Sequence, residues 1–137
     1  MAISYADTLR KNRMDEVNAY IGNTCYIRIM DGTRPANEGA ETNVLADLRG
    51  NTPFGVSAAG LLTAGAITPD TNAPFLGTNT ATWFRILKTD DATIVMDGSV
   101  GTVGSGADLE LDSTSITQTQ TVSIDTFIIT EGNDFAG

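Results

Sequence analysis

The chain has 137 residues, 41% of them hydrophobic, which suits a single domain with a core of its own and excludes disorder throughout. It has no histidine and one cysteine, Cys25, so it lacks the commonest acid–base group near neutral pH, any thiolate zinc centre and any disulfide within one chain. Its net charge of −9 is uneven, with eight acids and eight bases in residues 1–88 and nine acids and no base in 89–137; such a surface repels phosphate, and direct nucleic-acid binding is not expected.

Residues 1–21 are the one good helix stretch. Ser4 or Asp7 would cap its start, and Gly22-Asn23 would end it. Leu9, Arg13, Val17, Tyr20 and Ile21 fall near one stripe, beside the basic cluster Arg10, Lys11 and Arg13. The helix reads either as a plain cover for the core or as a docking element that reaches a neighbouring subunit. The docking reading makes residues 1–21 dispensable for the β fold. The N-terminal stretch has no continuous apolar region of the signal-peptide kind. The most apolar run, 57–67, falls short of the roughly 20 residues a membrane helix needs. A soluble protein made in the cytoplasm is expected, with no membrane partner.

The 24–30 stretch alternates Cys25, Ile27 and Ile29 against Tyr26, Arg28 and Met30, which predicts a strand. Residues 31–42 are a loop of Gly, Pro, Asn and acids. The 43–48 stretch fits a strand or a helix turn, the strand being favoured. Residues 54–67 make one broken strand or two short ones, interrupted at Ser57-Ala58-Ala59-Gly60, and 68–79 form another loop.

The stretch 80–98 is the densest apolar part and holds the single tryptophan, Trp83. Trp83, Arg85 and Leu87 alternate with Phe84 and Ile86, and both sides are largely apolar, as in a central strand buried on each face. Thr89-Asp90-Asp91 makes a turn, 92–96 a second strand, and Gly98 closes this hairpin. Trp83 is expected in the core, between sheet layers or under the helix. The glycines of 99–106 imply a flexible or tightly turned segment. Residues 107–112 give a short strand, 113–120 a polar segment and 121–130 the last strand. The tail from Glu131 is polar, with Phe135 as its one anchor. The fold class is therefore mainly β: a β-sandwich of seven or eight strands, jelly-roll or immunoglobulin-like, with one N-terminal α-helix. Residues 1–22 form the helix, packed on or swapped from the domain, and 23–137 a single β-sandwich domain.

No catalytic residues and no cofactor are called. No Ser sits in a G-x-S-x-G elbow, and the glycines after Gly98 lack the Lys of a phosphate loop. Asp108, Glu110 and Asp112 share one face of a strand, opposite Leu109 and Leu111, as a solvated face requires; weak Ca²⁺ or Mg²⁺ binding is the other reading. Trp83 and Arg85, two apart, fit core packing before ligand stacking.

Several short motifs carry a resemblance. They are Ala6-Asp7-Thr8-Leu9-Arg10 with Arg13 and Asp15, Gly32-Thr33-Arg34-Pro35-Ala36, Ala81-Thr82-Trp83-Phe84-Arg85, Asp97-Gly98, and Thr121-Val122 through Ile129-Thr130-Glu131-Gly132. With these the chain resembles a family of small structural proteins of tailed bacteriophages, similar to head decoration (cement) proteins. The resemblance implies a non-enzymatic virion component without fixing its place in the particle; the capsid surface is the expected location. It implies the major capsid protein as partner and a homo-oligomer, a trimer rather than a dimer. Leu9, Arg10, Lys11, Arg13, Val17, Tyr20, Arg34 and Pro35 are the expected partner-binding residues. A tail or neck protein, or a carbohydrate- or ion-binding module, is the alternative.

Overall fold

The computed structural model describes residues 3–130, and the expected tail with its Phe135 anchor lies outside them. The chain is mainly β, 38% strand against 12% helix, with one N-terminal helix and curled sheets. Its elements are α1 (Asp7–Ile21), β1 (Tyr26–Met30), β2 (Val44–Arg49), β3 (Gly55–Ala58), β4 (Leu61–Ala64) and β5 (Thr78–Thr80). There follow β6 (Trp83–Leu87), β7 (Ile94–Thr102), β8 (Leu109–Leu111), β9 (Ser115–Thr117) and β10 (Ile128–Thr130).

The largest sheet runs in the order β2-β1-β6-β7-β8. β6 is central and buried at every residue, with apolar side chains on both faces and the paired Arg85 among them. On one face, Ile27 and Ile29 lie in register with Ile86 and Phe84, and these join the main core with Leu45, Leu48, Phe54 and Leu62. Phe127 closes this core with its ring edge-on to both Phe54 and Phe84, at centroid distances of 6.2 and 5.3 Å. On the other face, Trp83 is buried under the 31–43 loop. Its indole N–H donates to the Asp31 carbonyl at 3.0 Å and to the Thr42 hydroxyl at 2.9 Å. Trp83 is thus a core residue, but the loop covers it, where helix or second sheet was expected.

The hairpin of β6 and β7 forms as the sequence implies, but Gly98 does not end it. β7 continues through Gly98 to Thr102, so the glycine segment is strand in its first half. Gly98 lies opposite Phe84, and a Cβ there would stand 2.4 Å from the ring. The glycine is a seat for an aromatic side chain rather than a break. β8 then pairs parallel to the end of β7. A six-residue return suffices because only three residues pair, far less than a full parallel crossover.

A second sheet, β10-β4-β3, carries α1. The 54–67 stretch resolves into two strands joined at Ala59-Gly60. α1 ends where expected, the N–H of Gly22 donating to Asn18 at φ +74°. Its start differs: Ala6 is the N-cap, with no side-chain cap from Ser4 or Asp7. The stripe also differs. Met14 and Ile21 are the buried residues, Val17 is half-buried, and Leu9 and Tyr20 are exposed. Asn18, outside the expected stripe, exchanges two hydrogen bonds with the backbone of Gly55 on β3, at 3.0 and 3.1 Å.

Two further corrections concern polar or irregular segments. β5 and β9 pair as a small ribbon where a loop and a polar segment were expected, anchored by buried Ile116. The 121–130 stretch is strand only at its end. Val122, Ile124 and Phe127 are buried, yet among the described residues the first half of the segment has a single bridge, Asp70 with Val122. Alternation there reports burial without a neighbouring strand to pair with.

Candidate interaction surfaces

Five of the residues expected at contacts fall on two surfaces, while Leu9, Arg10 and Lys11 line neither. Arg13, Val17 and Tyr20 line one wall of an open groove of about 950 Å³ between α1, β7 and β10. Phe84 and Phe127 belong to its lining, and Val95, Met96, Ile128 and Ile129 add apolar side chains from the strands. Arg13, Glu16, Asp97 and Asp108 supply its charges. Asp97 is committed to Arg85, and Asp108 accepts hydrogen bonds from the N–H of Ser99 at 2.9 Å and from its hydroxyl at 3.1 Å. The Asp97 and Asp108 carboxylates at the groove are therefore already engaged within the fold.

The basic cluster on α1 is largely satisfied at home. Arg10 lies 3.6 Å from Asp7, Lys11 bonds Asp15 at 3.1 Å, and the Arg13 guanidinium lies 5.2 Å from the Tyr5 ring centroid. Asp15 is held below the usual carboxylate range first by the Ser57 hydroxyl and then by Lys11. Lys88 sits 3.7 Å from the centroid of Tyr20, tying the end of α1 to the β6–β7 turn.

Arg34 and Pro35 lie on the other surface, in the 31–43 loop, which covers the Trp83 face of the large sheet. The loop is pinned by Trp83, by the Thr82 hydroxyl on the Gly32 carbonyl (2.6 Å), and by Arg85 on the Gly39 carbonyl (2.8 Å). Asp31 accepts from both the backbone and the side-chain amide of Asn43, each at 3.1 Å. Pro35 is half-buried, close under Gly39, and Arg34 is exposed.

Beneath the loop lies a row of four charges that periodicity does not reveal. Asp47, Arg28, Arg85 and Asp97 stand in register on β2, β1, β6 and β7. Arg85 is almost fully buried and bonds Asp97 in bidentate fashion at 2.7 and 3.0 Å, and that pair raises its pKa. Arg28 bonds Asp47 at 3.1 Å, Glu41 at 3.0 Å, and Asp91 in the hairpin turn. Burial disfavours its charge, but Glu41, Asp91 and Asp47 outweigh that and hold the pKa up. The Asp47 carboxyl is pushed up by burial against the pull of Arg28. One arginine thus joins β2, the 31–43 loop and the hairpin turn. The Arg85 guanidinium, 5.2 Å from the Trp83 centroid, is engaged inside the fold rather than offered to a ligand.

Other chemistry-bearing groups serve structure too. Cys25 is a buried free thiol whose pKa burial pushes up to about 11, so thiolate chemistry is suppressed. The acidic strand alternates as expected, with Leu109 and Leu111 buried, and Glu110 accepts the Gly106 N–H at 3.0 Å. Among the described residues no three His, Cys, Asp or Glu side chains gather to hold a metal ion, and no helix is long and apolar enough to cross a membrane. No family model, curated protein or solved structure matches the chain.

Proposed function

We propose that the chain is a non-enzymatic structural protein of a tailed-phage virion, a decoration (cement) protein that binds the major capsid protein and bridges capsid subunits as a homo-oligomer. The observation that carries this reading is the open groove of about 950 Å³. Its apolar walls rimmed by charge suit a macromolecular partner, and Arg13, Val17 and Tyr20 stand along one side of it. The reading also draws on the phage-like motifs around Arg34-Pro35 and Trp83-Phe84-Arg85. In the finer reading of the fold, the five-stranded and three-stranded sheets are the two layers of a β-sandwich.

The test is addition of the purified protein to capsid shells that lack it. Saturable binding with a rise in shell melting temperature supports a cement role. Binding to tails or necks alone moves the protein to that part of the particle. Glycan binding with no affinity for any phage particle overturns the proposal.

A further inference from the structure

Seven of the eight bases have a partner within the chain. Arg10, Lys11, Arg28 and Arg85 pair with carboxylates, and Arg13 and Lys88 lie over tyrosine rings. Arg49 lies over Tyr26, 3.9 Å from its centroid, and donates to the Thr24 carbonyl. Among the described bases only Arg34 has neither an ion pair, a hydrogen bond nor a ring contact from its side chain. Its loop is anchored to buried Trp83 and Arg85, so the guanidinium is presented from a fixed backbone, and little ordering remains to be done on binding. A cation unpaired among the described residues, on an anchored loop in a chain of net charge −9, is a contact waiting for a carboxylate.

We propose that Arg34 docks a second copy of this chain, seating against the face that carries Glu110, Asp112 and Asp125. This rests on the homo-oligomer part of the proposed function and names its contact. Asp112 and Asp125 are exposed and, among the described residues, have no partner, the mirror image of Arg34. With Glu110, Val103 and Leu111 they line a pocket of about 210 Å³. That is smaller than the ~300–1,000 Å³ of ordinary small-molecule sites and suited to one inserted side chain. The planar guanidinium fork matches paired carboxylates, and its stem can lie along Val103 and Leu111. The loop sits over β1 and β6, whereas the pocket lies at β8, the far edge of the sheet, so within one chain the two groups do not meet. A contact between unlike surfaces propagates head to tail and closes into a ring when the rotation allows, which suits a trimer better than a two-fold dimer.

The experiment is sedimentation of the full chain at low and high salt, for wild type, Arg34→Glu, the Asp112→Lys/Asp125→Lys pair, and all three changes together. All three positions are exposed, and circular dichroism checks that each variant folds. The expected result is wild-type self-association weakened by salt, weakened about tenfold or more by either charge reversal, and regained in the combined variant. A wild type monomeric at every salt and concentration overturns the proposal. So does unchanged assembly of Arg34→Glu, or a combined variant that stays dissociated. The same samples added to capsid shells separate this contact from the wider reading. Shell binding with Arg34-independent assembly removes the contact alone. Arg34-dependent assembly without shell affinity removes the cement role alone.

Discussion

Arg28 and Arg85 stand directly opposite each other on neighbouring strands β1 and β6. Like charges in that position destabilise a sheet unless each is neutralised from its other side. Here Asp47 on β2 faces Arg28 and Asp97 on β7 faces Arg85, giving an acid–base–base–acid row across four strands. The row fixes register as well as charge. A one-residue slip of any strand would put an unpaired charge into the apolar core on the opposite face.

The first prediction concerns the Arg85–Asp97 pair. Asp97→Ala leaves a nearly fully buried guanidinium beside a like charge, with the Gly39 carbonyl still accepting one of its N–H groups. Breaking a buried pair from one side is expected to cost about 3–5 kcal/mol in urea unfolding. The double variant Arg85→Met/Asp97→Leu is expected to lose much less, because no charge is then left unpaired. Equal losses in the single and double variants would show that the pair is not the source of the effect.

The second prediction concerns Gly98, which lies inside β7 rather than at its end. Gly98→Ala brings a methyl group against the Phe84 ring, which in turn packs on Phe127. Overpacking of this kind is expected to cost about 1–3 kcal/mol. Adding Phe84→Leu should recover part of that loss although the leucine variant is itself destabilised. Denaturant melts of the four-member cycle read the coupling, and strict additivity would count against a direct clash.

A third expectation is a pH dependence in the β6–β7 turn. The Asp90 carboxylate accepts from the Thr93 hydroxyl at 2.5 Å and from the N–H groups of Thr93 and Ala92, each at 2.9 Å. The Thr93 hydroxyl first, then those amides, bring its pKa down to about 2. The folded value lies below the unfolded one, so the ionised turn adds stability that is present above roughly pH 4 and is lost as the pH falls towards 2. Asp90→Ala should remove that increment. The stability gap between wild type and variant should therefore narrow from pH 5 to pH 2, and a gap independent of pH would contradict the assignment.

What was legible in the sequence follows from what is local. Trp83, Phe84, Ile86 and Leu87, apolar on both sides of one strand, announced β6, the Thr89-Asp90-Asp91 turn announced its hairpin, and Gly22 announced the end of α1. The β5–β9 ribbon escaped notice because Thr and Asn faces carry no apolar period, and one buried Ile116 is too little signal. The charge row was invisible for another reason. Residues 28, 47, 85 and 97 look like ordinary alternation until strand order and register place them side by side. The contact residues split for the same reason. Arg13, Val17 and Tyr20 share a helix wall that spacing could suggest, but nothing local separates them from Arg34 on the opposite face.

The last prediction concerns how α1 holds its sheet. β3 has β4 on one side, and its other edge would be open for pairing with another chain. Asn18 occupies that edge: its side-chain amide donates to the Gly55 carbonyl and its side-chain oxygen accepts the Gly55 N–H, as a neighbouring strand would. Met14 and Ile21 meanwhile place the helix in the main core. Removing residues 1–21 is therefore expected to unfold or aggregate the protein, against the sequence reading of a dispensable docking arm. Asn18→Ala is the milder test. It strands a buried N–H and a carbonyl at Gly55, for an expected loss of about 1–3 kcal/mol. Asn18→Asp should do no better, since a carboxylate accepts the N–H but faces the Gly55 carbonyl without a proton to give. Hydrogen exchange read residue by residue locates the effect. Faster exchange confined to Gly55 and its β3 neighbours would show the edge opening, whereas a uniform change would place the role of Asn18 in the helix itself.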